Sequence, residues 1–207
     1  HLSRLIMSAF GGVAPENKLR VVAPDVGGGF GSKINVYNEE IVCSWASKKM
    51  ERPIKWVAER TESFLTDTHG RDHVTHAELA VTNDGKFLGF KNETIANLGA
   101  YARVFGTVTP TYLFGPCATG VYTIPAAYTN VKAVYTNTAP VDAYRGAGRP
   151  EATYTIERLV EKAAMELGID RTEIRMRNFP TEFPFKQTLV HTVDSGDYVA
   201  GLEKAKQ

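Results

Sequence analysis

The 207 residues carry 24 Lys+Arg against 23 Asp+Glu, a formal net charge of +1. That balance leaves no basic excess of the kind nucleic-acid binding needs, and no apolar run approaches the length of a membrane span. Two cysteines, Cys43 and Cys117, are too few and too far apart for a disulfide scaffold or a Cys-type zinc site, and they fit a reducing, cytoplasmic setting.

The chain opens at His1 in helical rhythm, with Leu2, Leu5, Ile6, Ala9 and Phe10 on one face. Residues 19–23 have strand character, which Pro24 and Asp25 break. A glycine cluster follows and leads into a helix, in which Ile34, Tyr37, Ile41, Val42, Trp45 and Ala46 recur at helical spacing. Lys48 and Lys49 stand where a helix C-terminus favours cations, and Arg52-Pro53 ends the run. Residues 54–57 read as a short strand. Residues 72–82 and 87–96 form a hairpin around Asn83-Asp84-Gly85-Lys86, since Asp-Gly supplies the positive φ of a tight turn. From 97 to 150 the chain is rich in Gly, Pro, Thr and Tyr and reads as long ordered loop, with one strand at 131–136.

After Pro150 the pattern turns helical: Ala152, Ile156, Leu159, Val160, Ala163, Ala164 and Leu167 share a stripe, and Gly168 suits the C-terminal cap. Asp170-Arg171-Thr172-Glu173 reads as a capping box for a short helix that Pro180 must end. A last helix, N-capped by Asp194 or Ser195, carries Tyr198, Leu202 and Ala205 to the end of the chain at Gln207. Both ends fall inside elements, so the chain is expected to be an internal piece of a longer subunit. The fold class expected is α+β, a mixed α and β domain without regular βαβ alternation.

Two segments carry chemistry. In Gly27-Gly28-Gly29-Phe30-Gly31-Ser32-Lys33 the glycines let backbone approach a bulky ligand and offer N–H groups to anions near a helix start. A P-loop would need Gly-Lys-Ser/Thr where Ser32-Lys33-Ile34 stands. The dinucleotide fingerprint fails in both frames, meeting Ser32 or Ile34 in its last place. A structural turn competes with a binding role for any glycine cluster, but Phe30, an aromatic ring with few local partners, favours a wall against a ligand. In the second segment, 143–151, Arg145 and Arg149 flank Gly146, Ala147 and Gly148 directly before a long helix, a cradle for phosphate or carboxylate. A solvated loop is the plain alternative. His69, His73 and His76 have a metal-like spacing, yet His73 and His76 lie three apart on a strand and point to opposite faces, so they read as strand-surface residues.

Taken together the segments resemble the xanthine oxidase family of molybdenum hydroxylases, in the branch of carbon monoxide dehydrogenase large subunits and their aldehyde-oxidase-like relatives. The resemblance runs in family order. It begins at Pro15-Glu16-Asn17-Lys18, then takes in 19–22, Pro24-Asp25-Val26 and the glycine loop. It continues through Pro53-Ile54-Lys55-Trp56-Val57 with Glu59-Arg60-Thr61-Glu62, and Gly99-Ala100-Tyr101. Tyr135-Thr136-Asn137, 143–151, 167–178 and Asp194-Ser195-Gly196-Asp197-Tyr198 complete it. It implies that 1–207 is a partial molybdopterin-binding domain, divisible into 1–137 and 138–207.

The resemblance further implies a molybdopterin cofactor, in the cytosine dinucleotide form, bound by the complete subunit together with an iron–sulfur small subunit and an FAD-binding medium subunit. The implied chemistry is oxidative hydroxylation of a small substrate, with electrons leaving through the iron–sulfur clusters. Gly28, Gly29, Phe30 and Gly31 would lie against the cofactor, with Phe30 near the substrate. Arg145 would act in the active-site loop and, with Gly146, Ala147, Gly148 and Arg149, would hold the cofactor. Carbon monoxide dehydrogenases place a copper-binding Cys where Gly146 stands, and xanthine-oxidising members a Glu where Ile34 stands, so an aldehyde or N-heterocycle is the expected substrate. The family's catalytic Glu and a metal-contacting Gln are expected outside these residues, so the piece alone is expected to be inactive and without cofactor. A non-catalytic nucleotide- or phosphate-binding module, or a scaffold domain binding partner subunits, are the rival readings.

Overall fold

The computed structural model describes residues 2–9 and 12–207. Its helices and strands follow the hydrophobic periodicities closely where an element finds cover within the chain, and depart from them where it does not. Helix α1 (Leu2–Ala9) precedes a 3-10 turn at Glu16–Lys18. Phe10, expected on the face of α1, lies outside the described residues.

The hairpin forms as expected. Strand β1 (His73–Val81) pairs antiparallel with β2 (Phe87–Asn97), with His73 opposite Ala96 and a bulge at Ala80/Val81. Gly85 supplies the turn with a φ of 83°. Strand β3 (Ala126–Val134) adds in parallel to β2, giving the order β1-β2-β3. It starts five residues before the expected 131–136 segment because its register is set against Gly89–Asn97 of β2, while the Thr136 amide leaves the ladder for the Gly99 carbonyl.

Helix α4 (Arg149–Leu167) lays Ala152, Ile156, Val160 and Ala164 on the sheet, a spacing of four residues that keeps them on one face. Ile156, Val160 and Ala164 join Phe87, Phe90, Tyr122, Ile124 and Ile174 in one core cluster, which draws on both sides of residue 137. Gly148 precedes α4 and Gly168 ends it in the left-handed conformation. Helix α5 (Arg171–Met176) is capped by Asp170, whose carboxylate accepts the Thr172 and Glu173 amides. Buried Asn178 then fastens α5 to the hairpin, accepting from the Phe87 amide and donating to the Gly85 carbonyl. Strands β4 (Phe185–Lys186) and β5 (Thr192–Val193) make a small separate ladder. Helix α6 (Tyr198–Lys206) is capped by Asp197, not by Asp194 or Ser195, because it is the Asp197 carboxylate that reaches the Ala200 amide.

Two expected strands are missing for a shared physical reason. Residues 19–23 and 54–57 form no strand, and their side chains Val21, Val22, Trp56 and Val57 are exposed. β-branched sequence favours extended backbone, but a strand also needs a partner ladder, and none pairs with them among the described residues. Helix α2 (Asn38–Met50) has its apolar stripe, yet Val42 and Trp45 stand open to solvent and no residue of it is buried. Its start also moves: Ile34 sits in a 3-10 turn (Ser32–Ile34) and Tyr37 is the N-cap. Helix α3 (Arg60–Thr66), unforeseen as a helix, carries a Glu59/Glu62 capping box.

Candidate functional site

The structure joins the two chemistry-bearing segments. The Arg145 amide donates to the Phe30 carbonyl at 2.9 Å, although the two residues are far apart in sequence. Gly31 has a φ of 102° and packs so closely that a methyl placed on it would lie 2.1 Å from the Ala143 carbonyl oxygen. Only glycine combines that dihedral with that approach. Below the junction, buried Asp142 accepts from the Asn35 side chain at 3.0 Å and from the Phe105 amide at 3.1 Å. A single carboxylate thus ties together the ends of three loops.

Phe30 is itself in the left-handed region, φ 51°, and is 51% exposed. The ring is not free of neighbours: it lies across the Gly28 α-carbon, where any side chain would overlap it, and the Arg145 guanidinium sits 5.4 Å from its centroid. Among the described residues that guanidinium meets no carboxylate. Gly27 has nothing within 4 Å of where a side chain would start, and Gly29 only Lys33 at 3.8 Å. The glycine loop is therefore backed on one side and open on the other.

The expected helix N-terminus at this loop is absent. Helix α2 begins only at Asn38, after the 3-10 turn and residues 35–37, so its dipole is not aimed at Gly28–Gly31. The arginine loop does meet a helix start directly. Gly146 and Gly148 have φ of 98° and 86°, Ala147 has 39°, and α4 begins at Arg149. Gly148 is wedged against the turn Thr109–Leu113 and Phe114, whose backbone atoms would stand 2.7 Å from a methyl added to it. Arg149 does not project as the second arm of a fork, because its Nη1 folds back toward the Gly146 and Ala147 carbonyls at 3.4 Å each. Both arginines are exposed, but Arg145 places its guanidinium over the Phe30 ring whereas Arg149 turns back to its own loop.

Residues that sequence reasoning passed over complete the surroundings. Arg71, φ 58°, donates from Nη2 to the Arg145 carbonyl and lies 4.8 Å over the Tyr144 ring. Its Nε is 3.7 Å from Glu151, a carboxylate only 9% exposed in the first turn of α4. Nothing in the spacing of the sequence links 71 to 145; only the folded β1–α4 arrangement does. Beside it a cleft of about 620 Å³ opens between β1 and α4, lined by Arg71, His73, Glu151, Tyr154 and Arg158.

The histidines divide as strand alternation requires, though His73 is not a surface residue. It turns inward, edge-on to Phe114 at 5.0 Å, while His76 faces out toward Glu78. No cluster of metal-ligating side chains forms among the described residues. Burial pushes the His73 imidazole below its ordinary value of 6.5, against the opposing pull of Glu151 and Asp72. The unfolded chain therefore binds the proton more readily. The stability this buried neutral ring confers is complete above pH 6.5 and is lost as pH falls toward the depressed folded value. Melting temperature should accordingly fall less between about pH 7 and about pH 5 in His73→Phe than in the parent; equal slopes would mean that His73 is not held neutral by burial.

Comparison with known proteins identifies the family. Residues 1–179 match the molybdopterin cofactor-binding domain family. The chain belongs to that family. It is 43% identical over 209 residues to the carbon monoxide dehydrogenase large chain of Hydrogenophaga pseudoflava, covering 99% of this chain and 26% of that one. It is 38% identical over 202 residues to the 6-hydroxypseudooxynicotine dehydrogenase complex subunit gamma of Paenarthrobacter nicotinovorans, covering 92% and 25%. Quinoline 2-oxidoreductase from Pseudomonas putida 86 superposes with a TM-score of 0.92 at 34% identity, over 98% of this chain and 26% of that one. The chain thus spans about a quarter of the length of these relatives. All are oxidoreductases by name, which leaves the non-catalytic phosphate-binding and scaffold readings without support. No helix among the described residues is long and apolar enough to cross a membrane.

Proposed function

We propose that this chain forms part of the molybdenum-cofactor-binding large subunit of a hydroxylase acting on an aldehyde or N-heterocycle. The observation that carries the proposal is the junction of Phe30–Gly31 with Ala143–Arg145, which brings an open glycine backbone, an exposed ring and an exposed arginine to one place. The donor set fits the cofactor: glycines admit a bulky group to within van der Waals distance of backbone, and Arg145 and the α4 N-terminus favour phosphate or oxyanion oxygens. When bound, the molybdenum cofactor supplies the two-electron oxidation. The residues of this chain receive it and orient the substrate. Gly28, Gly29 and Gly31 let it approach, Gly146, Ala147, Gly148 and Arg149 shape the turn that holds it, Phe30 walls the substrate, and Arg145 donates to developing negative charge.

The shared core on both sides of residue 137 supports reading 1–207 as one part of a cofactor-binding unit. Gly146 and Ile34 stand where copper-dependent and purine-oxidising members carry Cys and Glu, and quinoline is named for the relative with a TM-score of 0.92, so an N-heterocycle is the favoured substrate. The cytosine dinucleotide form and the iron–sulfur and FAD subunits follow from the same kinship. The cytoplasmic setting is favoured by two unpaired thiols. The complete subunit, purified with its neighbours, is expected to hold stoichiometric molybdenum, to release cytidine monophosphate on acid hydrolysis, and to oxidise quinoline-type rings or aldehydes in preference to carbon monoxide. Metal-free protein inactive on every one of these substrates would overturn the proposal.

A further inference from the structure

The backbone of Arg145 is gripped from both sides. Its amide donates to the Phe30 carbonyl, and its carbonyl accepts from Nη2 of Arg71. The same Arg71 guanidinium covers the Tyr144 ring at 4.8 Å and turns its Nε toward Glu151 at 3.7 Å. Gly70 brings it there: a side chain at that position would start 2.5 Å from the Tyr144 β-carbon, so the link into β1 presses against the loop. Arg71 also holds a positive φ of 58°, a conformation disfavoured for a side chain with a β-carbon and maintained by the contacts it makes. One planar cation therefore touches the residue before Arg145, Arg145 itself, and the first turn of the helix after it.

We infer that Arg71 is a positioning residue for Arg145: it fixes the loop backbone so that the Arg145 guanidinium stays over Phe30. The inference rests on the reading of Arg145 as an active-site group. Arg71 is well suited to the task because its fork can donate to a carbonyl, stack on a ring and face a carboxylate together, which an ammonium cannot do. Glu151 reinforces it. The Glu151 Oε2 atom is buried and accepts no hydrogen bond among the described residues, so its attraction to Arg71 Nε holds the guanidinium plane in place.

The test uses the complete subunit in its complex, with Arg71→Ala, Arg71→Lys, Arg145→Ala and the Arg71→Ala/Arg145→Ala pair. Arg71→Ala should lower kcat roughly tenfold to hundredfold with KM little changed, as expected when a reacting group is misplaced rather than removed. Arg71→Lys should recover melting temperature, through its charge beside Glu151, without recovering kcat. In the Arg145→Ala background the second change should cost less than about twofold, because the two act through one group. Independently of turnover, amide hydrogen exchange in peptides covering 143–149 should quicken while β1 and β2 stay protected.

Several results would overturn the inference: full rescue of kcat by lysine, multiplicative losses in the pair, or exchange unchanged at 143–149. If Arg71→Ala does not assemble, Arg71→Lys carries the exchange and kcat measurements alone. An Arg145→Ala protein with parental turnover would remove the active-site reading itself. Impaired Arg145→Ala beside an unimpaired Arg71→Ala would remove only the positioning role.

Discussion

Arg145→Ala in the complete subunit is expected to lower turnover, per molybdenum bound, by on the order of a hundredfold or more while melting temperature stays near the parent value. The expectation follows from where the side chain is. Arg145 is exposed, its guanidinium rests on the Phe30 ring, and no carboxylate among the described residues claims it. Its loss therefore removes little that holds the fold, since the hydrogen bonds fixing this part of the loop are made by its backbone. What it removes is a guanidinium held over the Phe30 ring of the glycine loop. A donor that strengthens its bond as negative charge develops lowers the barrier rather than the ground state, so the effect belongs in kcat. Lysine should not restore it, because an ammonium lacks the planar fork. Phe30→Ala should shift the preference among substrates, and should cost little stability because the residue is already half exposed. Steady-state kinetics with metal analysis decide the matter: parental turnover in Arg145→Ala and Arg145→Lys would show that Arg145 does not act on the reaction.

The parts of the fold readable in the sequence are those whose causes are local. Asp84-Gly85 specifies the hairpin because only a positive φ closes that turn, and Gly85 adopts it at 83°. The four-residue spacing from Ala152 to Ala164 specifies α4 and its buried face, and the Asp170 cap specifies α5. Residues 19–23, 54–57 and the outer stripe of α2 mislead in a consistent way. Their sequences ask for burial or a partner strand, and the partners are not within the described residues. The site is half legible. Glycines, Phe30 and Arg145 stand out by type and spacing. Arg71, Asp142 and Asn35 do not, because their roles arise from contacts across 74 and 107 positions that no local pattern encodes. Arg149 misleads for a related reason: its spacing from Arg145 suggests a paired fork, but the turn at Gly146–Gly148 curls it back toward the carbonyls just before it.

Gly31→Ala is expected to be the most damaging single methyl that can be added to this chain's glycine loop. At a φ of 102° an L side chain is already strained, a cost of about 1–3 kcal/mol for such sparsely populated backbone. The added carbon would also stand 2.1 Å from the Ala143 carbonyl oxygen, 2.7 Å from its carbon and 3.0 Å from the Tyr144 α-carbon. All three are backbone atoms, so no flexible side chain can swing away. The loops must part, and with them goes the Phe30–Arg145 hydrogen bond that unites the glycine loop with the arginine loop. Molybdenum retention and turnover should therefore be lost together, with a lowered melting temperature. Gly27→Ala is the internal control: nothing lies within 4 Å of its new methyl and its φ is not in the left-handed region. That variant should stay within about 0.5 kcal/mol of the parent, as surface substitutions usually do. Should Gly31→Ala match Gly27→Ala in metal content and melting temperature, the close approach of the two loops is not what holds the site.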